Sequence, residues 1–452
     1  MMNHSLMSAP IRRRGIAMVV VIWAIAVCSV LTASLMVFSM RQGMLGVEVQ
    51  DRISARWAAR AGLESTIAKM AEYSMYPIQD DALSLYYEME DVSQGETETG
   101  SWLIQHSADD MSQQWRGPMD EHSKLNVNDD ELRGLIAIMF YPLAFGVLDS
   151  ITDWLDDDDE PSALGVERDW YLSLDARYEP RNGPIWHIAE MELIAGLEPE
   201  DIRGEDWNLN YRRDVSENDG DETLPIDEPD DKLDAGWSEF LTARSRGGGM
   251  AESGQPKLWL DAADPLDLIS RCGITLEQAQ YLVNKAQDDD FKLSDLILEN
   301  RPASLNNTNS IFQQTNTPNS GQASFTPEEV AAVLSEVTLS PNHRPDWGKI
   351  NINTVPAKLL YEIFQDDERM VQDILAMRAA RSEGISSLMS LWELPSMDEA
   401  QMEQMLSLFT TQSNVFTVVS RGKSKSSGQE VEIIAVVDRS TIPIRIIEYR
   451  ED

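Results

Sequence analysis

The sequence predicts an α+β protein with an N-terminal transmembrane helix, a small antiparallel sheet and a large helical domain inserted before the last strands. Three observations carry that reading. A long uncharged run follows a basic leader; segments of alternating apolar residues fall near 97–107 and after 414; and a Lys-x-Asn-x-Asn motif occurs twice, each time ahead of an apolar, helix-like stretch.

The N-terminal element comes first. From Ile16 through Met40 no charged residue occurs, and those 25 residues as a helix span about 37 Å, enough to cross a bilayer. Arg12, Arg13 and Arg14 precede the run, so the positive-inside rule puts the N-terminus in the cytoplasm and the bulk of the chain in the periplasm. The run is too long for the apolar core of a cleaved secretory signal. Beyond it, Val49, Ile53, Trp57, Leu63, Ile67 and Met70 recur at helical spacing, with Arg52, Arg56, Arg60, Glu64 and Lys69 on other sides. The helix is therefore expected to continue out of the membrane with one apolar stripe.

Strand signals follow. Trp102, Ile104 and His106 alternate with polar residues after Gly100, and the C-terminal stretch carries three β-branched runs: 415–419, 431–437 and 442–449. Between them lie the two echoing motifs. Lys124-Leu125-Asn126-Val127-Asn128 leads into an apolar run over 132–148, and Lys349-Ile350-Asn351-Ile352-Asn353 leads into Thr354-Val355-Pro356 and a helix through Phe364. In each copy the second Asn, or the Thr after it, is placed to cap the helix, and Pro356 suits a first turn.

Several of these motifs, in this order, resemble one family. Arg12-Arg13-Arg14-Gly15 before Ile16-Ala17-Met18-Val19-Val20 resembles the leader of type IV pilins and pseudopilins. The first motif copy is followed by Asp153-Trp154-Leu155-Asp156-Asp157-Asp158, Gly165-Val166-Glu167, Trp170-Tyr171, Glu192-Leu193 and Gly196, which resembles the K-type minor pseudopilins of type II secretion systems. Arg378, Arg381, Gly384 and Leu391-Trp392-Glu393-Leu394 match that family's second helical module. Pilins carry Glu at the fifth mature position; Val20 stands there here, as in the K type.

The resemblance implies a structural subunit rather than an enzyme. Prepilin peptidase would cut between Gly15 and Ile16, and the new terminus would be methylated. Expected partners are other minor pseudopilins and the major pseudopilin, with this chain at the fibre tip. The implied partition is a leader over 1–15, a pilin-type transmembrane helix over 16–40 and its periplasmic continuation over 41–74. The first part of the sheet follows over 75–123 and a first helical module over 124–204. An acidic and polar insertion occupies 205–345, with a helical unit near 259–299. A second module over 346–411 and the closing strands over 412–452 complete the chain. Both modules resemble SAM or helix-hairpin-helix units. Within the insertion, 215–231, Gly247-Gly248-Gly249 and 301–326 read as linkers or loops.

The acidic run offers a metal site. With Asp156 as the first position, Asp158 is third, Glu160 fifth and Glu167 twelfth, the carboxylate spacing of an EF-hand loop, although Pro161 replaces the glycine expected at the sixth. Hard oxygen ligands suit Ca²⁺ rather than Zn²⁺. Asp153 and Asp157 are second-choice ligands. The family resemblance, which implies a calcium-binding helical domain, adds to this reading.

Composition removes other classes. The 452 residues hold 37 Lys+Arg against 77 Asp+Glu, a net charge of -40, which opposes binding to a phosphate backbone. The other reading weighed, a membrane-anchored DNA receptor with helix-hairpin-helix modules, needs basic residues near the helix start, where Gln365-Asp366-Asp367-Glu368 stands instead. Cys28 lies in the apolar run and Cys272 is alone beyond it, leaving no disulfide framework. His4, His106, His122, His187 and His343 form no His-Glu-x-x-His pair, and neither a nucleophile elbow nor a phosphate loop is present. Trp154, Trp170, Trp186 and Trp392 are expected in the core.

Overall fold

The computed structural model describes residues 14–451 except 79, 109–112, 141–145, 224–225, 289, 302–322, 341–345 and 366. Residues 1–13 of the expected leader lie outside the described residues. One helix, α1 (Arg14–Met75), runs unbroken for 62 residues, and its N-terminal part is the only span among the described residues long and apolar enough to cross a membrane. A short helix α2 (Ser84–Asp91) precedes strands β1 (Gln94–Glu96), β2 (Gly100–Ala108), β3 (Gln113–Arg116) and β4 (Met119–Asp120).

The chain then leaves the sheet for three helical modules. The first holds β5 (Leu125–Asn126), α3 (Asp130–Met139), α4 (Val147–Leu155), α5 (Arg168–Tyr171), α6 (Pro199–Arg203) and β6 (Leu241–Thr242). The middle one holds β7 (Leu258–Trp259), α7 (Pro265–Cys272), α8 (Leu276–Lys285), α9 (Asp295–Glu299), α10 (Pro327–Glu336) and β8 (Val337–Thr338). The last holds β9 (Ile350–Asn351), α11 (Ala357–Ile363), α12 (Glu368–Ala380), α13 (Glu399–Leu408) and β10 (Phe409–Thr410). Strands β11 (Val415–Ser424), β12 (Glu430–Asp438) and β13 (Arg445–Glu451) complete an antiparallel sheet of order β1-β2-β11-β12-β13, with β3 beside β2 and β4 beside β11.

Strand period explains how the two halves meet. Along β11, Phe416, Val418 and Ser420 face α1, and the Ser420 hydroxyl donates to the Ala59 carbonyl at 2.8 Å. The alternate residues face the modules: Thr417 bonds the buried Glu121, and Arg421 pairs with Asp214 at 3.0 Å. Central strands covered on both faces read as continuous β-branched runs, as 415–419 does. On α1 the matching face is Asp51, Ala55, Ala59, Leu63, Thr66 and Met70, all buried and three or four apart. Its small residues let helix and sheet backbones touch. A Cβ on Gly422 would fall 1.9 Å from the Ala55 carbonyl oxygen, so no other residue fits without moving the helix.

The apolar stripe of α1 is thereby divided. Leu63 and Met70 are buried on the sheet with Ile67 packed beside them, whereas Val49, Ile53 and Trp57 are 58%, 49% and 60% exposed. A sequence period cannot say which of two adjacent faces meets the sheet; the alanines at 55, 58 and 59 decide it.

Each module is closed by a two-residue parallel ladder: β5 with β6, β7 with β8, and β9 with β10. The first module accordingly returns to its start only at Leu241–Thr242, beyond position 204. The helical unit expected near 259–299 is a complete third unit of the same plan, closed only at Val337–Thr338. Its α8 and α10 open with capping boxes, Thr275 with Gln278 and Thr326 with Glu329. Gly247–Gly249 is packed rather than free: the Gly247 N–H bonds the Asp346 carbonyl at 2.8 Å, and Gly248 lies against Asn414. The acidic stretch after Val215 is likewise tied down, Asp227 accepting the Gly220 N–H at 2.7 Å. One hydrophobic core runs through all three modules, from Leu125 to Phe409. The run over 132–148 is two helices, α3 and α4, with 141–145 outside the described residues.

The repeated asparagines do a different job from the capping expected of them. Asn126 Oδ1 accepts the Asn128 N–H, and Asn128 holds the Ile185 backbone from both sides, accepting its N–H at 2.7 Å and donating to its carbonyl at 3.0 Å. In the last module Asn351 and Asn353 repeat the arrangement on Ile385 at the same two distances. Helix α11 starts after Pro356 with no side-chain cap. A buried amide with one donor and one acceptor group matches the N–H and C=O of a single residue, so each Asn clamps a distant loop instead of its own helix.

Candidate metal centre

The candidate centre sits where the first module departs from the last. The Asn128 clamp reaches 57 residues ahead and the Asn353 clamp 32, so the first module carries 25 additional residues between equivalent points. Those residues include the acidic loop.

Helix α4 supplies the base. Ile151 and Trp154 bury its apolar side, with the Trp154 ring edge-on to Tyr171 at 5.3 Å. Asp153, between them, is fully buried and accepts the Ser162 N–H at 3.0 Å. Asp149, one turn earlier, accepts the Leu164 N–H at 3.0 Å. The two carboxylates thus bend the loop back over the helix. Gly165 passes so close that a Cβ there would lie 2.1 Å from Asp153 Oδ2. Glu167, at the start of α5, turns inward and is 6% exposed.

Asp153, Asp156 and Glu167 each present an oxygen, and these oxygens all lie within 4.8 Å of one another. Asp156 Oδ1 and both Glu167 oxygens are buried without a hydrogen-bond partner among the described residues. Burial first, then the charges of Asp153 and Asp156, push the Glu167 carboxyl up to about 7. Burial and Asp158 raise Asp156 as well. Orphaned buried carboxylate oxygens converging at this distance fit a hard cation with oxygen ligands, and contain none of the His or Cys that Zn²⁺ would take.

Of the four residues expected from the EF-hand spacing, the structure brings two together. Asp158 and Glu160 are exposed, and Asp158 spends its Oδ1 on the Glu160 N–H at 2.8 Å. Asp153 takes their place, because it lies one turn of helix before Asp156 and faces the same way. Loop spacing left Asp153 a second-choice ligand; helical spacing from Asp149 through Asp153 to Asp156 gives it its place.

Gly15 and Ile16 lie within α1. Trp154 and Trp392 are buried as expected, but Trp170 and Trp186 are 40% and 70% exposed, Trp186 lying under the Arg181 guanidinium. At the start of α12, where DNA binding would want cations, Asp367 caps the helix and Glu368 opens it.

These features define a class: a long N-terminal helix, apolar enough over its first part to cross a membrane, lies on an antiparallel sheet, with a helical domain inserted before the final strands. Residues 135–204, which include the candidate centre, match the family model for type II secretion system (T2SS) protein K, so the chain carries that family's first domain. The motif resemblance to K-type minor pseudopilins is supported by this match. The chain is 24% identical over 233 residues to the type II secretion system protein K of Klebsiella pneumoniae, an alignment covering 44% of this chain and 60% of that one. The chain thus spans less than two thirds of that relative. A crystal structure of the GspK-GspI-GspJ complex from the enterotoxigenic Escherichia coli type 2 secretion system aligns with 90% of this chain and 99% of its own, at 12% identity and a TM-score of 0.46.

Proposed function

We propose that this chain is a structural minor pseudopilin of a type II secretion system, held in the inner membrane by α1 and seated at the tip of the periplasmic pseudopilus. The observation that carries the proposal is the protein K segment at 135–204 on a chain whose α1 runs unbroken from an apolar span onto a sheet. Prepilin peptidase cuts between Gly15 and Ile16, leaving Ile16 to be methylated on the cytoplasmic side. The remainder of the chain is periplasmic, and it performs no catalysis and binds no nucleic acid.

Tip placement rests on Val20 and on bulk. In a fibre the carboxylate at the fifth mature position pairs with a neighbouring subunit's N-terminal amine, and an unpaired carboxylate in a bilayer is costly. A subunit with no neighbour above it is better served by valine. Three helical modules would crowd a regular shaft but fit on its end.

The partner-binding face of α1 is narrower than its apolar stripe. Leu63 and Met70 are used within the chain, so Val49, Ile53 and Trp57 remain to meet other minor pseudopilins and the major subunit. Calcium, bound by Asp153, Asp156 and Glu167, ties the acidic loop to α4 and has a structural role. The test is co-purification of the full chain with the other pseudopilins in detergent, with quantitative labelling of assembled fibres. A low-copy complex lost in Trp57→Asp is expected; labelling distributed along the shaft would overturn tip placement.

A further inference from the structure

The end of α1, the residues before β11 and the turn after β12 enclose a cavity of about 60 Å³, lined in part by Tyr73, Ser74, Tyr86, Ser413, Asn414 and Arg439. That volume holds a few waters or one small ion. Its charge is unbalanced. Arg439 Nε donates to the Ser74 hydroxyl at 3.1 Å and Nη1 to the Ser413 carbonyl at 3.3 Å, with the guanidinium 5.5 Å from the Tyr73 ring centroid. It forms no ion pair with an acid among the described residues, and Nη2 has no partner there.

The nearby acids are committed elsewhere. Asp120 accepts from the Tyr86 hydroxyl at 2.8 Å, Ser413 at 2.7 Å, Thr354 at 2.5 Å and the His122 N–H at 2.8 Å. Asp81, which also lines the cavity, caps the Leu83 N–H at 3.0 Å. Glu252 lines it too, but burial raises its carboxyl toward the neutral form. Burial likewise lowers the Arg439 pKa, and the Asp120 carboxylate offsets this only through space, with no ion pair between the two. A desolvated guanidinium with a spare fork nitrogen at a small polar cavity matches the geometry of an oxyanion.

We propose that this cavity binds a small oxyanion, either a carboxylate group or a free tetrahedral anion, on Arg439, at the junction of α1, the sheet and two modules. Occupancy would lock that junction. The test is thermal melting of the full chain in detergent with sodium acetate or sodium sulfate, against sodium chloride at matched ionic strength. A saturable upward shift of several degrees is expected. Saturation by acetate alone identifies a carboxylate, such as a chain terminus, as the ligand; saturation by both identifies a free anion site. Arg439→Gln should abolish the saturable shift, while Arg381→Gln, on the last module's exterior, should keep it. If Arg439→Gln does not fold, Gln412→Trp, which fills the cavity and keeps the cation, replaces it and should also lose the shift. No saturable shift in the unaltered chain, or an undiminished one in the folded cavity variant, overturns the proposal.

Discussion

Glu167→Gln should stabilise the ion-free chain and blunt its response to calcium. In the ion-free chain three carboxylates present oxygens within 4.8 Å of one another. At that separation and an effective dielectric of about 20, each pair of full charges repels by about 3 kcal/mol. The substitution keeps the shape and removes two of the three repulsions. Because the Glu167 carboxyl titrates at about 7, it is partly protonated at neutral pH, and solvent at the loop screens the remainder. The net gain without calcium is then about 1–3 kcal/mol. With calcium most of that advantage is lost. A bound ion at a hundred times its dissociation constant stabilises by about 2.7 kcal/mol, and a tenfold loss of affinity forfeits about half of that. Acidity supplies a second check. The folded pKa of Glu167 lies above its ordinary 4.5, so the folded chain holds the extra proton between those values. Ion-free stability is therefore full below about 4.5 and falls as pH rises through about 7, whereas the stability that calcium adds grows over the same window. Melting curves of the full chain in detergent, with chelator or calcium at several pH values, read both effects. A variant less stable than the parent in chelator, together with a parent indifferent to calcium, would refute the reasoning.

Three further outcomes are expected. The mature chain begins at Ile16, and Gly15 replaced by a bulky residue accumulates uncut; N-terminal sequencing decides it. At a net charge of -40 the chain shows no salt-sensitive affinity for DNA, and a mobility shift that weakens steeply with salt would restore the uptake reading. Gly422→Ala forces a methyl to within 1.9 Å of the Ala55 carbonyl and should destabilise by about 1–3 kcal/mol or more, while Gly134→Ala on α3, with open space around it, should not; denaturation midpoints compare the two.

The parts of the fold set by local pattern were legible. The uncharged run, the β-branched stretches after 414 and the repeated Lys-x-Asn-x-Asn motif each correspond to an element that the structure contains. What escaped was set by distant partners. Asn128 and Asn353 look like helix caps because capping is the commonest local use of Asn. Their real partners, Ile185 and Ile385, are 57 and 32 residues away. The middle module was only partly visible, because its closing ladder, Leu258 with Val337, pairs residues on either side of a long polar stretch. The candidate site was half legible for a related reason. Asp156 and Glu167 obey a loop spacing, whereas Asp153 joins them through the pitch of α4.

The comparison of the first and last modules gives the proposed ion a physical reason in the first. Both are clamped by the same Asn geometry, and both enter a short helical turn in the same way, His187 accepting the Ala189 N–H and Ser387 the Met389 N–H. Between clamp and turn the last module places α12, which contributes buried Met370, Val371 and Ile374 and holds itself down by apolar burial worth about 1.5–3 kcal/mol per side chain. The first module, over its longer excursion, has few apolar side chains between Asp156 and Glu167; Asp157 to Pro161 are all exposed. Such a segment cannot be fixed by a hydrophobic core. Nor can a disulfide fix it, since Cys28 lies on the apolar helix and Cys272 in the middle module. Inward-facing carboxylates that repel one another would open the loop unless a cation neutralises them. The physical role left for calcium is to hold, by ligation, a loop that its own sequence cannot hold by burial.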